Sequence, residues 1–371
     1  MINKEREFRS RQVDTDCSMI TSTFTRIAIT YIPTIYKMTI TRICSFFVPL
    51  CLLFLTSCES SEPPAPKPVK IIFDSDMGPD YDDVGALTML HAFADSGKAE
   101  ILATMASNRY SLVAPCLNVI NTYYGRPDIP IGSPKTHGVN IGCSQHWSDS
   151  LVARFPHAID STTRIQDAVA LYRKILASQP DSSVVVVTVG FMTNINDLLQ
   201  SPPDSYSPLN GRDLVAKKTI ELVSMAGKFP EGWEFNVKED STSSKYAFEN
   251  WPTKIVLSGF EIGEKILTGK RLINSNLKSP AKLAFGISIP MADEDKNGRK
   301  SWDQTAVLVA VKGVAFAFTE ESGQMVVEPS GFNRWTAMDE GNHTYLVFKK
   351  SPEELSALIE QYMMHEPTAK N

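Results

Sequence analysis

Cysteine and histidine are scarce in this sequence, and positive charge is not in excess. Six Cys are spread over 371 residues with no Cys-x-x-Cys pair and no Cys/His cluster, so neither a zinc site nor a disulfide framework is indicated. Lys and Arg number 37 against 42 Asp and Glu, for a formal net charge of -5, which argues against nucleic acid as a partner. The apolar run Ile43 to Leu55 is too short for a membrane span. What remains is ordinary globular material, 43% hydrophobic and 21% charged, enough for one large domain or two small ones.

The N-terminal region reads differently from the rest. Residues 1–37 scatter Arg and Lys among Ser and Thr, and Met38 then opens a better-formed leader: Arg42, the apolar run, and Thr56-Ser57-Cys58. This is the pattern of a secretory signal peptide. Leu55-Thr56-Ser57-Cys58 resembles a bacterial lipobox, which implies lipid on Cys58, a true start at Met38, and an exported lipoprotein anchored in a bacterial cell envelope. The alternative is a chance Cys in a hydrophobic leader. Residues 59–68 are a linker rich in Ser, Glu and Pro, and residues 69–371 are expected to form one domain. Cys17, Cys44 and Cys51 precede the cleavage point, leaving Cys116 and Cys143. Cys116 falls on the apolar face of a predicted helix and reads as core, not nucleophile.

From Val69 onward, strand and helix patterns alternate. Glu100 to Ala106, Asp128 to Gly132, Ser183 to Gly190, Ile220 to Gly227 and Lys254 to Gly259 are predicted strands. Helical patterns cover Val113 to Tyr124, Asp167 to Ser178 and Ser243 to Asn250. Near-continuous apolar strands between helices predict an α/β fold, an open, mostly parallel sheet with helices on both faces. Sites in such folds gather at the carboxyl ends of the strands.

The chain is organised around Ile71 to Leu90, IIFDSDMGPDYDDVGALTML. A β-branched and aromatic run ends abruptly in Asp74-Ser75-Asp76, and helical spacing begins at Val84. Asp74, Asp76, Asp80, Asp82 and Asp83 lie within ten residues, and so many like charges repel unless a cation or basic side chains sit among them. Carboxylate oxygens suit a hard divalent ion such as Ca²⁺ or Mg²⁺. A helix cap accounts for one acid, and a solvated acidic loop is the bland alternative.

FDSDMGPDYDDVGAL resembles the signature of the nucleoside hydrolases (inosine-uridine-preferring nucleoside N-ribohydrolases), whose first strand ends in a Ca²⁺-holding D-x-D…D-D loop. Other matches follow in order: Asn108 after the second strand, Gly190-Phe191-Met192-Thr193-Asn194 for a G-P-L-T-N motif, Glu234-Phe235-Asn236 for E-F-N, and Ser301-Trp302-Asp303 before the helix from Thr305. The resemblance implies a Rossmann-like core and Ca²⁺ held by Asp76, Asp82, Asp83, Asp303 and the Thr193 carbonyl. It further implies ribose contacts from Asp83, Asn108, Asn236 and Glu234, and Asp76 as the base that deprotonates a water. Trp302 stands where many members have a His, as in a purine-specific branch in which Trp stacks on the base. The implied reaction is Ca²⁺-dependent hydrolysis of ribonucleosides, purines first, to ribose and free base. A homo-oligomer is compatible with the family.

The chain departs from the pattern in places. Five residues separate Asp76 from Asp82 where the family has three, so Asp80 and Tyr81 read as an insertion. Lys228 replaces an Asn expected near the 5′-hydroxyl. In Pro134 to Asp149, where the family has a loop that closes over the base, His137 or Trp147 is a candidate cover and equally plain surface. Asp293 to Gly298 imitates half an EF-hand but has Gln304 where a closing Glu is needed, and it reads as a mobile polar loop. Two other functions compete. One is a phosphatase of the haloacid dehalogenase type, in which Gly78 is out of place and Asp82-Asp83 has no role. The other is an inactive Ca²⁺-dependent surface binding protein.

Overall fold

Ile71, Ile72 and Phe73 alternate between the two faces of a central strand, and that alternation assigns the helices to sides. The computed structural model describes residues 67–159 and 163–368; the leader, Met38, Cys58 and all but the last two residues of the 59–68 linker lie outside them. The described residues belong to one compact unit, Pro66–Asn371. In β1 (Val69–Ser75), Ile71 and Phe73 pack with Val84, Leu87, Leu90 and Phe93. Ile72 packs with Leu171, Leu176, Ile195 and Leu198 on the opposite face. Phe73 and Phe93 are fully buried and contribute roughly 2 to 3 kcal/mol each.

The remaining strands are β2 (Ala99–Ala106), β3 (Ile131–Ser133), β4 (Gln166–Asp167), β5 (Val184–Thr188), β6 (Thr219–Met225), β7 (Glu231–Trp233), β8 (Lys254–Ser258), β9 (Leu267–Thr268), β10 (Arg299–Lys300), β11 (Phe318–Val327), β12 (Phe332–Ala337) and β13 (His343–Phe348). Eleven of them form one sheet in the order β4-β3-β2-β1-β5-β6-β8-β13-β11-β12-β7, and β9 pairs with β10 separately. From β4 to β13 neighbours run parallel. Beyond β13 the pairs with β11, β12 and β7 are antiparallel. The fold is therefore the expected mostly parallel α/β sheet, with an antiparallel extension that the sequence patterns do not announce. The expected strand at Asp128 starts only at Ile131.

Helices Asp82–Asp95, Val113–Tyr123, Trp302–Lys312 and Pro352–Met363 cover the Ile71 face. Helices Ala168–Ser178, Thr193–Gln200, Gly211–Lys218 and Ser241–Asn250 cover the Ile72 face. Asp74 of β1 is in register with Met105 of β2 and Thr188 of β5. Chain order reverses at β1/β5, and the crevice above the strand ends at such a reversal is where ligands bind in open α/β sheets. Among the described residues no helix is long and apolar enough to cross a membrane.

Candidate active site

Above β1, β5, β6 and β8 lies a cavity of about 260 Å³ whose walls differ in chemistry. One wall is acidic, from Asp76 and Asp80 of the loop after β1, Asp82 and Asp83 at the start of the helix that follows, and Asp303 in the first turn of helix Trp302–Lys312; the other carries Glu234, Phe235, Asn236, Phe260 and Trp302. Asp82 and Asp83 open their helix within its first turn, where the helix dipole favours negative charge. A Cβ on Gly190 would stand 2.6 Å from the Asp76 backbone nitrogen, so only glycine lets the chain after β5 press against the acidic loop.

Asp82, Asp83 and Asp303 each offer an oxygen, all within 4.8 Å of one another. Asp83 accepts a 2.7 Å hydrogen bond from the Ser75 hydroxyl at Oδ1, while its Oδ2 and the Oδ2 of Asp76 are buried without a partner. Burial, then Asp83 and Asp80, push the Asp76 carboxyl well above its ordinary range. Burial and Asp82 raise Asp83 to about 8, and burial with Asp82, Asp83 and Asp76 drives Asp303 upward too. Buried acids that repel and leave oxygens unpaired are chemically suited to a hard divalent cation, which would favour their ionised forms.

Sequence reasoning missed Arg299. Its Nε and Nη2 donate to Asp82 Oδ1 at 3.1 and 2.7 Å and Nη2 also donates to Asp80 at 2.5 Å. Backbone N–H groups of Trp302 and Asp303 donate to Asp82 Oδ2 at 3.2 and 3.4 Å. The available signal was charge: an acidic loop demands a cation, and Arg299 lies three residues before Trp302. Phe235 and Phe260 were also missed as lining residues; neither carries a charge pattern to mark it. The supposed mobile loop Asp293–Gly298 is a correction: Asp295 is buried and accepts a 2.6 Å hydrogen bond from Tyr81.

The other expected residues divide. Asn236 lines the cavity, its amide donating to Val189 and Met225 carbonyls at 3.3 and 3.4 Å. Glu234 lines it too, and caps its short helix by accepting from Asn236 and Val237 N–H and from Gly227 N–H; burial lifts its carboxyl to about 7 despite these donors. Trp302 donates its indole N–H to the Phe260 carbonyl at 2.8 Å, and its ring lies against Gly263, where a Cβ would come within 2.3 Å. Asn108, expected to contact ribose, is bonded here to backbone groups. Its amide nitrogen donates to Asp76 and Ile141 carbonyls, its oxygen accepts from Tyr110 and Ile141 N–H, and it does not line the cavity.

Thr193 spends its hydroxyl on Asp240 at 2.7 Å and is likewise absent from the lining. Asp74, off the cavity, is held by Tyr172 and Asn194, and burial raises it to about 7. Trp147 is not a cover for a base but a fully buried core residue. His137 faces Asp197 at 3.2 Å on the surface. Among the described residues, no His lines the cavity.

A family model described as inosine-uridine preferring nucleoside hydrolase matches residues 71–354. No curated protein matches the chain. Among solved structures, a purine-preferring ribonucleoside hydrolase from Gardnerella vaginalis superposes with a TM-score of 0.63 at 18% identity, covering 79% of this chain and 98% of that one. A plant nucleoside hydrolase, PpNRh1, gives 0.61 at 18% over 80% and 99%. The type III effector XopQ, solved with adenosine diphosphate ribose, gives 0.61 at 13% over 81% and 94%. At these identities the structures speak for the fold alone.

Proposed function

Because the chain belongs to the inosine-uridine preferring nucleoside hydrolase family, we propose that it hydrolyses the N-glycosidic bond of ribonucleosides, purines first, in a Ca²⁺-dependent reaction. The observation that carries the reading is the pair of buried, unpartnered oxygens on Asp76 and Asp83 beside Asp303, facing an aromatic wall across one cavity. Asp76, Asp83 and Asp303, with Asp82 alongside, would hold the cation. When bound, it would supply an acidified water and a ligand for ribose hydroxyls.

The chain's own groups account for the rest. N-glycosidic cleavage passes through an oxocarbenium-like state, and the acidic wall complements positive charge growing on the sugar. Asp76, once ionised, takes the proton of a water at the cavity floor. Asn236 and Glu234 would partner sugar hydroxyls; Glu234 Oε1, which accepts from Asn236 N–H, keeps a lone pair, whereas Oε2 already accepts from Gly227 and Val237 N–H. Phe260 and Trp302, tilted with centroids 5.4 Å apart, offer the base an aromatic surface. With no His in the lining, the leaving base takes its proton from solvent, which suits a purine that is basic once stacked. Export with lipid on Cys58 belongs to the same proposal, supported by the leader pattern and checked by mass spectrometry of the mature N-terminus.

The test is a panel of inosine, adenosine, guanosine and uridine assayed by ribose release with calcium-loaded protein, then after chelation and return of Ca²⁺ or Mg²⁺. Faster purine cleavage, restored by Ca²⁺, is expected. Preferred uridine cleavage would refute the purine assignment, and full recovery with Mg²⁺ alone would refute the calcium assignment. No cleavage of any nucleoside would favour a binding protein. Lys228 supports one extension of the panel: its ammonium lies 5.2 Å over the Phe260 ring, beside the cavity, and suits a riboside bearing a phosphate.

A further inference from the structure

Arg299 is a cation built into the acidic wall. Its guanidinium is sandwiched between the Tyr81 ring at 4.7 Å and the Trp302 ring at 5.0 Å. It forks onto Asp82 and Asp80 and faces Asp295 at 3.6 Å. Tyr81, in turn, donates to Asp295 and meets Phe285 edge-on at 4.9 Å. The backbone of Arg299 is fixed by pairing with Thr268 in the β9–β10 ribbon. The Asp80-Tyr81 insertion, the loop ending at Gly298 and the Trp302 ring are thus tied to one side chain.

We propose that Arg299 is a positioning residue for the metal site: a resident counter-charge that keeps the acidic loop formed without a divalent ion and fixes Asp82 and Trp302. The inference rests on the metal-binding part of the reading above. Five carboxylates border this cavity wall, and the guanidinium neutralises Asp82 while sharing Asp80. Without it, the metal-free loop would hold four buried acids with no cation among them, a costly arrangement. A guanidinium is suited to the task because its planar fork serves two carboxylates while its faces stack on rings, which an ammonium cannot do.

The experiment compares thermal unfolding of metal-free and calcium-loaded protein for wild type, R299M, D80N and R299M/D80N. Metal-free R299M should melt roughly 5 to 10 °C below wild type, and calcium should recover part of the loss, so the calcium-induced rise exceeds that of wild type. In R299M/D80N, one acid is removed with the cation, and the metal-free melting temperature should climb back toward wild type. Equal losses in R299M with and without calcium, with no recovery in the double variant, would assign Arg299 a packing role and overturn the proposal. If R299M does not fold, D80N decides: Asp80 is solvent-accessible, and its removal relieves repulsion, so a smaller calcium-induced rise is expected and an equal or larger one refutes the idea. Ribose release plays no part in these readouts, so a failed nucleoside panel leaves them standing. If calcium moves no variant, the metal reading fails, while the metal-free comparison of R299M with the double variant still decides the counter-charge role.

Discussion

The helix Asp82–Asp95 carries acids at both ends, and the two ends treat them in opposite ways. At its start, Asp82 is held by Arg299 and two backbone N–H groups, but Asp83 beside it is buried against Asp303 with one oxygen that has no partner. At its last residue, Asp95 accepts from Arg126 at 2.5 Å and His365 at 2.7 Å. Burial alone would raise the Asp95 carboxyl, but hydrogen bonds from His365 and Arg126 hold it below its ordinary value. The dipole disfavours an acid at the C-terminal end and favours one at the start. The end with the worse intrinsic position is nevertheless the one fully paired. Pairing therefore separates Asp95, both of whose partners staple the fold, from Asp83, which keeps an oxygen open for a ligand.

The strongest way to break this contrast is Asp76→Ala, which should lower turnover of every nucleoside by roughly 10³-fold or more while leaving metal-free stability unchanged or higher. A clear loss of metal-free stability would make Asp76 a structural acid like Asp95. Next in size is Trp302→Ala. Base stacking is worth about 1 to 3 kcal/mol, so purine turnover should fall about one to two decades with little change for uridine; an equal loss for both would remove the stacking role. Asp95→Ala is the mirror experiment: chemical denaturation should show a loss of about 1 to 2 kcal/mol with kcat intact. A fall in kcat would mean that the two ends are coupled.

The last comparison is in how stability changes with pH, at most one proton per group. Asp83 has a folded value of about 8 against about 4 unfolded. Its folded state is the better proton acceptor, so metal-free stability is fully present below about 4 and is lost progressively as pH rises from there through about 8. His91 near the far end behaves oppositely. Burial drops it to about 3, with Asn121 as partner, so the unfolded chain takes the proton first and stability is lost as pH falls below about 6.5. In a melting-temperature profile Asp83→Asn should remove a loss that grows as pH rises toward about 8, and His91→Leu a loss that grows as pH falls below about 6.5; the opposite signs would contradict both assignments.

The parallel half of the sheet was legible because each strand there is a short apolar run bounded by polar turns, as in Val184–Thr188 and Lys254–Ser258. The antiparallel extension was not. Phe318–Val327 contains Thr-Glu-Glu-Ser-Gly-Gln and is half exposed, so it lacks the signature of a buried strand. At the site, the acids were legible because like charges crowd in sequence, whereas Arg299 meets Asp82 only through the fold, 217 positions away. Asn108 shows the converse limit: residue type and strand-end position located it, but its four hydrogen bonds go to backbone, and only the fold reveals that the Pro134 to Asp149 loop is tied to Asp76 through it.

One further consequence follows from β7. After β6 the chain leaves the centre of the sheet, pairs Glu231 with Arg334 of β12 at the far edge, and returns directly into Glu234-Phe235-Asn236. The wall of Glu234, Phe235 and Asn236 is therefore hung on a strand at the sheet's far edge, while the carboxylates sit at its central crossover. For an engineer this is a natural seam: residues 231–233 pair with β12 and the acids follow β1, so the two walls of the cavity can be varied separately.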